Sequence, residues 1–385
     1  MAGSGDNNQT RFGRSTFPRS AAMLHSMRVL LHIGQSKTGT TSLQQSLFAA
    51  RDALLAKGIL YPTPGSGPWP DRNHNGFMLG FGVADRLMRG MRRRFEENPE
   101  ELGATFREFC GKITTEIEAH KPDILVLSSE GLFRRIGEKK DLDLRNFLRN
   151  LSPDVDVVAY VRRPSSHYLA RCQQRLRGSG ELPPPRPSHA RLAIKSYQDH
   201  FAGRVRVHAY ESSLLNQGDI VKDFMSRYLP QAADCVSTVR SNEGMSAEVM
   251  EIVQDFRNTH FPDSHNRFNR PTDKLIDTLT ALTQQEGLPT RAKLRHEIAK
   301  YIDSASVDMR WLRDEMNVTF PNFDYDDLGK VKPPELPTPL RVSDICALDP
   351  AIKDQLNTVL AAAEASTPDT KEERKARRAL AKQAE

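Results

Sequence analysis

Residues 28–44 read RVLLHIGQSKTGTTSLQ, and this stretch decides the fold. The apolar run at residues 28–33 is typical of a strand that is buried on both faces of a parallel sheet. It passes through a glycine-containing turn into a segment with helical periodicity. The apolar residues that share one face of this predicted helix are Leu43, Leu47, Ala50 and Leu54. A buried strand followed by an amphipathic helix predicts the first unit of an α/β fold.

The same alternation continues to about residue 215. Apolar runs predict further strands at residues 124–127 and 155–161, and the segment RVRVHAY predicts a fourth at residues 204–210, with helical patterns between the strands. Right-handed crossovers then produce a parallel sheet that is flanked by helices. Ligands of such sheets bind beyond the carboxyl ends of the strands. Functional residues are therefore expected immediately after Ile33, Leu127, Val161 and Ala209.

The domain organisation follows from changes in composition along the chain. Residues 1–26 are polar and predict a disordered arm. Residues 27–345 predict an α/β domain that becomes mostly helical from about residue 245. Residues 346–385 end in a charged, alanine-rich stretch and predict a helical or disordered tail.

The composition of the 385 residues excludes several classes of protein. With 38% hydrophobic and 27% charged residues, the chain has the composition of a globular protein rather than a disordered one. It has no apolar run near the roughly 20 residues of a membrane helix, and its first residues lack the apolar core of a signal peptide. The four cysteines form no CxxC pair, which disfavours a zinc site and favours a cytoplasmic location. A net charge of +6 favours anionic partners but does not indicate nucleic acid.

The segment GQSKTGTT, residues 34–41, is the most informative part of the chain, and we call it the glycine–threonine loop. Backbone N–H groups at a helix start, together with the helix dipole, form a site for anions. Gly34 and Gly39 allow the backbone to approach an oxyanion closely. Lys37 adds a positive charge. Hydroxyl donors follow at Thr40, Thr41 and Ser42.

The position of the lysine distinguishes two kinds of phosphate loop. In the nucleotide-hydrolase pattern, G-x-x-x-x-G-K-[ST], lysine follows the second glycine. Here Thr40 occupies that position, and the lysine lies inside the loop at residue 37. SKTGTT resembles the PKSGTT loop of the sulfotransferases that use 3′-phosphoadenosine 5′-phosphosulfate (PAPS), with Ser36 in place of proline. Residues 31–62 look like the version in bacterial carbohydrate-type sulfotransferases.

The resemblance implies a P-loop nucleotide-binding fold and PAPS as co-substrate. Two further segments agree with the family in chain order. Arg162, in the Arg-x-Pro that follows the third predicted strand, matches the family arginine that binds the 3′-phosphate. The serine expected six residues after the proline is Ala170 here, a departure for which Ser166 or Arg171 could compensate. Tyr210 matches a tyrosine that would pack on the cofactor. The family's cofactor-binding positions thus fall on Lys37, Thr38, Gly39, Thr40, Thr41, Ser42, Arg162 and Tyr210.

The chemistry that the resemblance implies needs a positive charge and a base. Lys37 can neutralise charge on the departing phosphate, and no metal is required. Two residues are candidates for the base that takes the acceptor's proton. Glu130 follows the second predicted strand, and His74 lies in the polar segment DRNHNGF. Asn242 either lines the far side of the cleft or begins a helix.

The leading hypothesis is a PAPS-dependent sulfotransferase that acts on a hydroxyl or amine of a saccharide, a glycolipid or another small acceptor. Two alternatives remain. One is a P-loop kinase or NTPase, which the absence of a lysine after Gly39 disfavours. The other is a non-catalytic nucleotide- or polyanion-binding protein with the same fold, which Ala170 favours.

Overall fold

One sheet of five parallel strands organises the computed structural model. In chain order the strands are β1 (Arg28–His32), β2 (Ile59–Leu60), β3 (Ile124–Ser128), β4 (Val155–Val161) and β5 (Val205–Ala209). Their order across the sheet is β2-β3-β1-β4-β5, and every neighbouring pair is parallel. The predicted α/β fold is confirmed, and β1 lies at the centre of the sheet.

The described part of the chain contains fourteen α-helices. They are α1 (Thr40–Ala49), α2 (Arg51–Leu55), α3 (Arg89–Glu97), α4 (Pro99–His120), α5 (Leu142–Leu151), α6 (Pro164–Leu176), α7 (Ala190–His200), α8 (Ile220–Tyr228), α9 (Ala247–His260), α10 (Arg270–Gln285), α11 (His296–Ala305), α12 (Asp308–Met316), α13 (Val342–Ile345) and α14 (Pro350–Ser366). The described residues are 27–65, 72–81, 87, 89–134, 142–201, 203–239 and 244–366. The predicted arm at residues 1–26, Asn242 and the end of the predicted tail lie outside them.

The chain divides into two compact units whose segments interleave along the sequence. The first comprises Met1–Arg163, His189–Ser241 and Asp308–Asn322; the second comprises Pro164–Ser188, Asn242–Val307 and Phe323–Glu385. The first unit contains the whole sheet. None of the helices in the described residues has both the length and the apolar character that a membrane span requires.

The core of the first unit explains why the opening stretch of sequence folds as it does. Leu30 of β1, Val126 of β3 and Val158 of β4 are completely buried in one apolar cluster. Leu43 and Leu47 of α1 belong to the same cluster, as their spacing predicts. Each fully buried leucine contributes about 1.5–3 kcal/mol relative to an exposed one. This burial fixes the start of α1 against the end of β1.

The regular secondary structure described for the second unit is helical, apart from one isolated bridge between Leu294 and Cys346. Its core includes Leu356 of α14 and Cys346, both completely buried. The predicted tail boundary after residue 345 therefore falls inside this unit. The sequence does not reveal that α14 packs on this core, because α14 is rich in alanine and contributes few large apolar residues.

Candidate functional site

The carboxyl ends of four parallel strands bring the predicted functional segments to one edge of the sheet. β1 ends at His32 and leads into the glycine–threonine loop. β3 is followed by Glu130, β4 by Arg162 and β5 by Tyr210. Because β3 and β4 flank β1 on its two sides, Glu130 and Arg162 approach the loop from opposite sides.

The glycine–threonine loop has a specific and strained backbone. Lys37 adopts a left-handed conformation with φ of 66°, which is uncommon for a residue with a side chain. The cost is about 1–2 kcal/mol, and such strain concentrates at functional sites. Thr38, which is completely buried, donates its hydroxyl to the Gln35 carbonyl over 2.7 Å. That bond fastens the loop internally.

Two glycines permit this backbone. A Cβ atom on Gly34 would lie 1.9 Å from the Thr40 methyl carbon. Gly39 has φ of 72°, and a Cβ there would lie 2.9 Å from a methyl carbon of Ile220. Gly39 is also the N-cap of α1 and has no side chain with which to cap the helix. The first N–H groups of α1 therefore receive no side-chain acceptor from the N-cap, and the first turn carries no acidic residue. This arrangement suits an anion.

The predicted hydroxyl donors differ in their partners. Thr40 donates to the Glu130 carboxylate over 2.8 Å, and Ser42 donates to the Val239 carbonyl over 2.5 Å. Thr41, half-buried in the first turn of α1, has no hydrogen-bond partner for its hydroxyl among the described residues. Thr41 is thus the hydroxyl that can bind an added anion without first losing a bond.

Arg162 contacts the glycine–threonine loop directly. Its guanidinium donates to the Lys37 carbonyl over 3.1 Å, and its backbone N–H donates to the Gln35 side-chain oxygen over 2.8 Å. The guanidinium carbon lies 5.7 Å from the centre of the Tyr210 ring. That ring in turn lies close to Gly39, 3.2 Å from the position of a Cβ there. A cation and an aromatic ring therefore border the loop.

Ala170, at the position where the sequence resemblance would place a serine, lies on α6 in the second unit. Compensation for the missing serine by Ser166 or Arg171 stays a prediction.

His74 lies in the protein interior, although the sequence around it is polar. Its ring is completely buried, and burial lowers its pKa from the usual 6.5 to about 4. Nδ1 accepts the Ser128 N–H over 2.9 Å, so the neutral ring carries its proton on Nε2 and donates it to the Pro62 carbonyl over 2.9 Å. Both ring nitrogens are occupied by backbone groups. The geometry therefore favours Glu130 over His74 as the base.

A buried polar cluster beneath the loop was not anticipated from the sequence. The Ser128 hydroxyl lies 2.8 Å from Nδ1 of His32 and accepts from the Gln44 amide over 3.1 Å. It links the ends of β1 and β3 to the inner face of α1. The only signal in the sequence is that polar residues terminate otherwise apolar strands. Gln35 and Asn75, which also hold the site, carry no such signal.

The buried histidines predict a pH dependence for the stability of the first unit. Burial lowers the pKa of His32 to about 3 and that of His74 to about 4. Since both pKa values lie below the unfolded value near 6.5, the unfolded chain binds protons that the folded chain does not. Stability is therefore complete above about pH 6.5 and falls as the pH drops toward 4, by about 3 kcal/mol for His74 alone.

Tryptophan fluorescence during urea unfolding measures this dependence, because Trp311 lies in the first unit. Between about pH 4 and pH 6.5, we expect His74→Asn to reduce the slope of the unfolding free energy against pH by an amount equivalent to nearly one bound proton. His120→Asn, at the exposed end of α4, is the control for a histidine lost elsewhere in the first unit. An identical slope in the wild type and His74→Asn would contradict the burial of a neutral ring.

The sequence matches no protein-family model and no curated protein sequence. Among the described residues, no group of three or more histidine, cysteine or acidic side chains is placed to hold a metal ion.

Proposed function

We propose that the chain is a PAPS-dependent sulfotransferase. The proposal depends on one observation: residues that follow two different strands both contact the glycine–threonine loop, which contains Lys37. Arg162, which follows β4, donates to the Lys37 carbonyl, and Glu130, which follows β3, accepts from Thr40. The Lys37 backbone, the Arg162 guanidinium and the Glu130 carboxylate thus lie around a helix start that has no side-chain cap. This combination suits the transfer of an anionic group to a neutral acceptor.

The donor set fits the co-substrate that the sequence resemblance implies. A side chain at Gly34 would clash with Thr40 and one at Gly39 with Ile220, and the proposal places the anion at the backbone N–H groups of this tight loop. In the proposal, these groups and Thr41 hold the 5′-phosphosulfate, and Arg162 holds the 3′-phosphate. Tyr210 packs against the nucleotide. Bound PAPS supplies the sulfuryl group.

The chain's own residues would supply charge and proton transfer. Lys37 stabilises the negative charge that grows on the leaving phosphate. Glu130 removes the proton from the attacking hydroxyl or amine and retains it on its carboxylate. We propose a saccharide, glycolipid or other small molecule as acceptor, and a cytoplasmic location.

Two other functions remain as outcomes of the test. A P-loop kinase or NTPase would bind ATP with magnesium, although Thr40 stands where its lysine would be. A non-catalytic nucleotide-binding protein would bind without turnover, and Ala170 in place of the family serine favours that candidate.

Calorimetry with adenosine 3′,5′-bisphosphate, in the absence of magnesium, tests the proposal. We expect the wild type to bind the bisphosphate and Gly34→Ala to lose binding, because the added methyl group would overlap Thr40. Gly111→Ala is the matched control, since a Cβ at Gly111 meets no atom within 4 Å. Tight binding of ATP–magnesium without any binding of the bisphosphate would refute the sulfotransferase proposal. Binding without transfer from PAPS to any hydroxyl or amine acceptor would favour the non-catalytic alternative.

A further inference from the structure

His74 and Asn75 bracket the segment that carries Glu130. The backbone N–H of His74 donates to the Ser128 carbonyl over 2.9 Å, and the Ser128 N–H donates back to the His74 ring over 2.9 Å. The Asn75 side-chain oxygen accepts from the Ser129 hydroxyl over 2.9 Å and from the Gly131 N–H over 3.4 Å. The residues on both sides of Glu130 are therefore fixed by two consecutive residues from a distant part of the chain.

The segment that begins at Asn75 also packs against the turn that contains Glu130. Glu130 begins a short 3₁₀ turn, Glu130–Leu132. A Cβ on Gly131 would lie 2.2 Å from the sulfur of Met78, which belongs to the 3₁₀ segment Asn75–Phe81. Close packing on one side and the Asn75 amide on the other leave the turn little freedom. The Glu130 carboxylate then reaches the Thr40 hydroxyl at 2.8 Å.

Substitutions of His74 and of Asn75 would have different effects on stability and on the geometry of the site. His74 is completely buried, so replacing it alters stability as well as geometry. Asn75 is only half-buried, and its oxygen binds the two residues adjacent to Glu130. A displacement of about 1 Å in a reacting group can reduce a rate roughly 10²-fold. Asn75 is therefore the residue at which a positioning role can be separated from a stabilising one.

We propose that Asn75 is a positioning residue for Glu130, and that it aligns the carboxylate with the glycine–threonine loop through Ser129 and Gly131. The inference rests on the proposed function, in which Glu130 takes the acceptor's proton. Within the described residues, the hydrogen bonds of Asn75 go to Asn73, Ser129 and Gly131, and none goes to the glycine–threonine loop. The effect of Asn75 should therefore appear in the rate of transfer and not in the affinity for the nucleotide.

The test compares Asn75→Ala, which removes the acceptor oxygen, with Asn75→Asp, which retains an oxygen at that position. We expect Asn75→Ala to lower kcat roughly 10- to 100-fold, with unchanged affinity for adenosine 3′,5′-bisphosphate. Asn75→Asp restores the accepting oxygen but adds a negative charge near Glu130, so it should recover part of the loss, and the recovery should increase with salt concentration. Asn146→Ala, on the exposed face of α5, is the control for an asparagine lost elsewhere in the first unit.

A crystal structure of Asn75→Ala provides a readout that does not depend on activity. We expect the Glu130 carboxylate to lie beyond hydrogen-bond distance from Thr40 in this variant, compared with 2.8 Å in the wild type. An intact bond, an unchanged kcat, an equal loss of nucleotide affinity, or no recovery in Asn75→Asp would each overturn the inference. If the wild type transfers no sulfuryl group, the proposed function fails, and the crystal structure still decides whether Asn75 holds Glu130.

Discussion

Lys37→Ala should lower kcat for sulfuryl transfer by at least about 10²–10³-fold, the loss seen when one oxyanion donor is removed from a preorganised site. The reason is that a full positive charge is removed from the loop where negative charge would grow on the leaving phosphate. Arg162 cannot replace it, because its guanidinium already donates to the Lys37 carbonyl and lies beside Tyr210. Single-turnover measurements with PAPS at saturating concentration give the effect on the chemical step.

The backbone of Lys37 allows a second variant that separates activity from folding. Lys37 has φ of 66°, a conformation that glycine adopts without the cost that other residues incur. Lys37→Gly should therefore be at least as stable as the wild type and equally inactive. Lys57→Ala, at an exposed position after α2, is the control for a lost positive charge. Normal turnover in a folded Lys37→Gly protein would remove the lysine from the mechanism.

Buried apolar runs allowed most of the sheet to be predicted from the sequence. β1, β3, β4 and β5 are bounded within one or two residues of the predicted positions. β1, β3 and β4 are apolar runs that enter the core, whereas β5 alternates buried Val205 and Val207 with exposed Arg206. The edge strand β2 was not predicted. It has only two residues, and its pairing with β3 depends on Gly58, whose carbonyl accepts from the Asp123 and Ile124 N–H groups.

The environment of the site could be predicted only in part. The order of the strands places Glu130, Arg162 and Tyr210 at one edge, and the sequence therefore indicated those residues. The burial of His74 could not be predicted from the sequence. The segment around it is polar, yet its ring is buried by bonds to Pro62 and Ser128, 12 and 54 residues away. Hydropathy averages neighbours in sequence and does not detect such contacts.

Glu130→Gln should have the second large effect, and it should change two measurements in opposite directions. The amide keeps an oxygen that can accept from Thr40 but cannot take a proton, so kcat should fall by about 10²–10⁴-fold, the usual contribution of a general base. At the same time one negative charge leaves the border of the anion site. Affinity for adenosine 3′,5′-bisphosphate should therefore rise roughly 3- to 10-fold.

The increase in affinity has an electrostatic signature that a merely structural effect would lack. It should shrink as salt is raised, because screening weakens the repulsion between the carboxylate and the bound phosphates. Glu118→Gln, on the exposed face of α4, removes the same charge away from the loop and should change neither measurement. Because both ring nitrogens of His74 bond to backbone groups, that residue offers no second route for the proton. Full turnover in Glu130→Gln would therefore show that neither Glu130 nor His74 is the base. Weaker nucleotide binding in this variant would show that the carboxylate supports the loop.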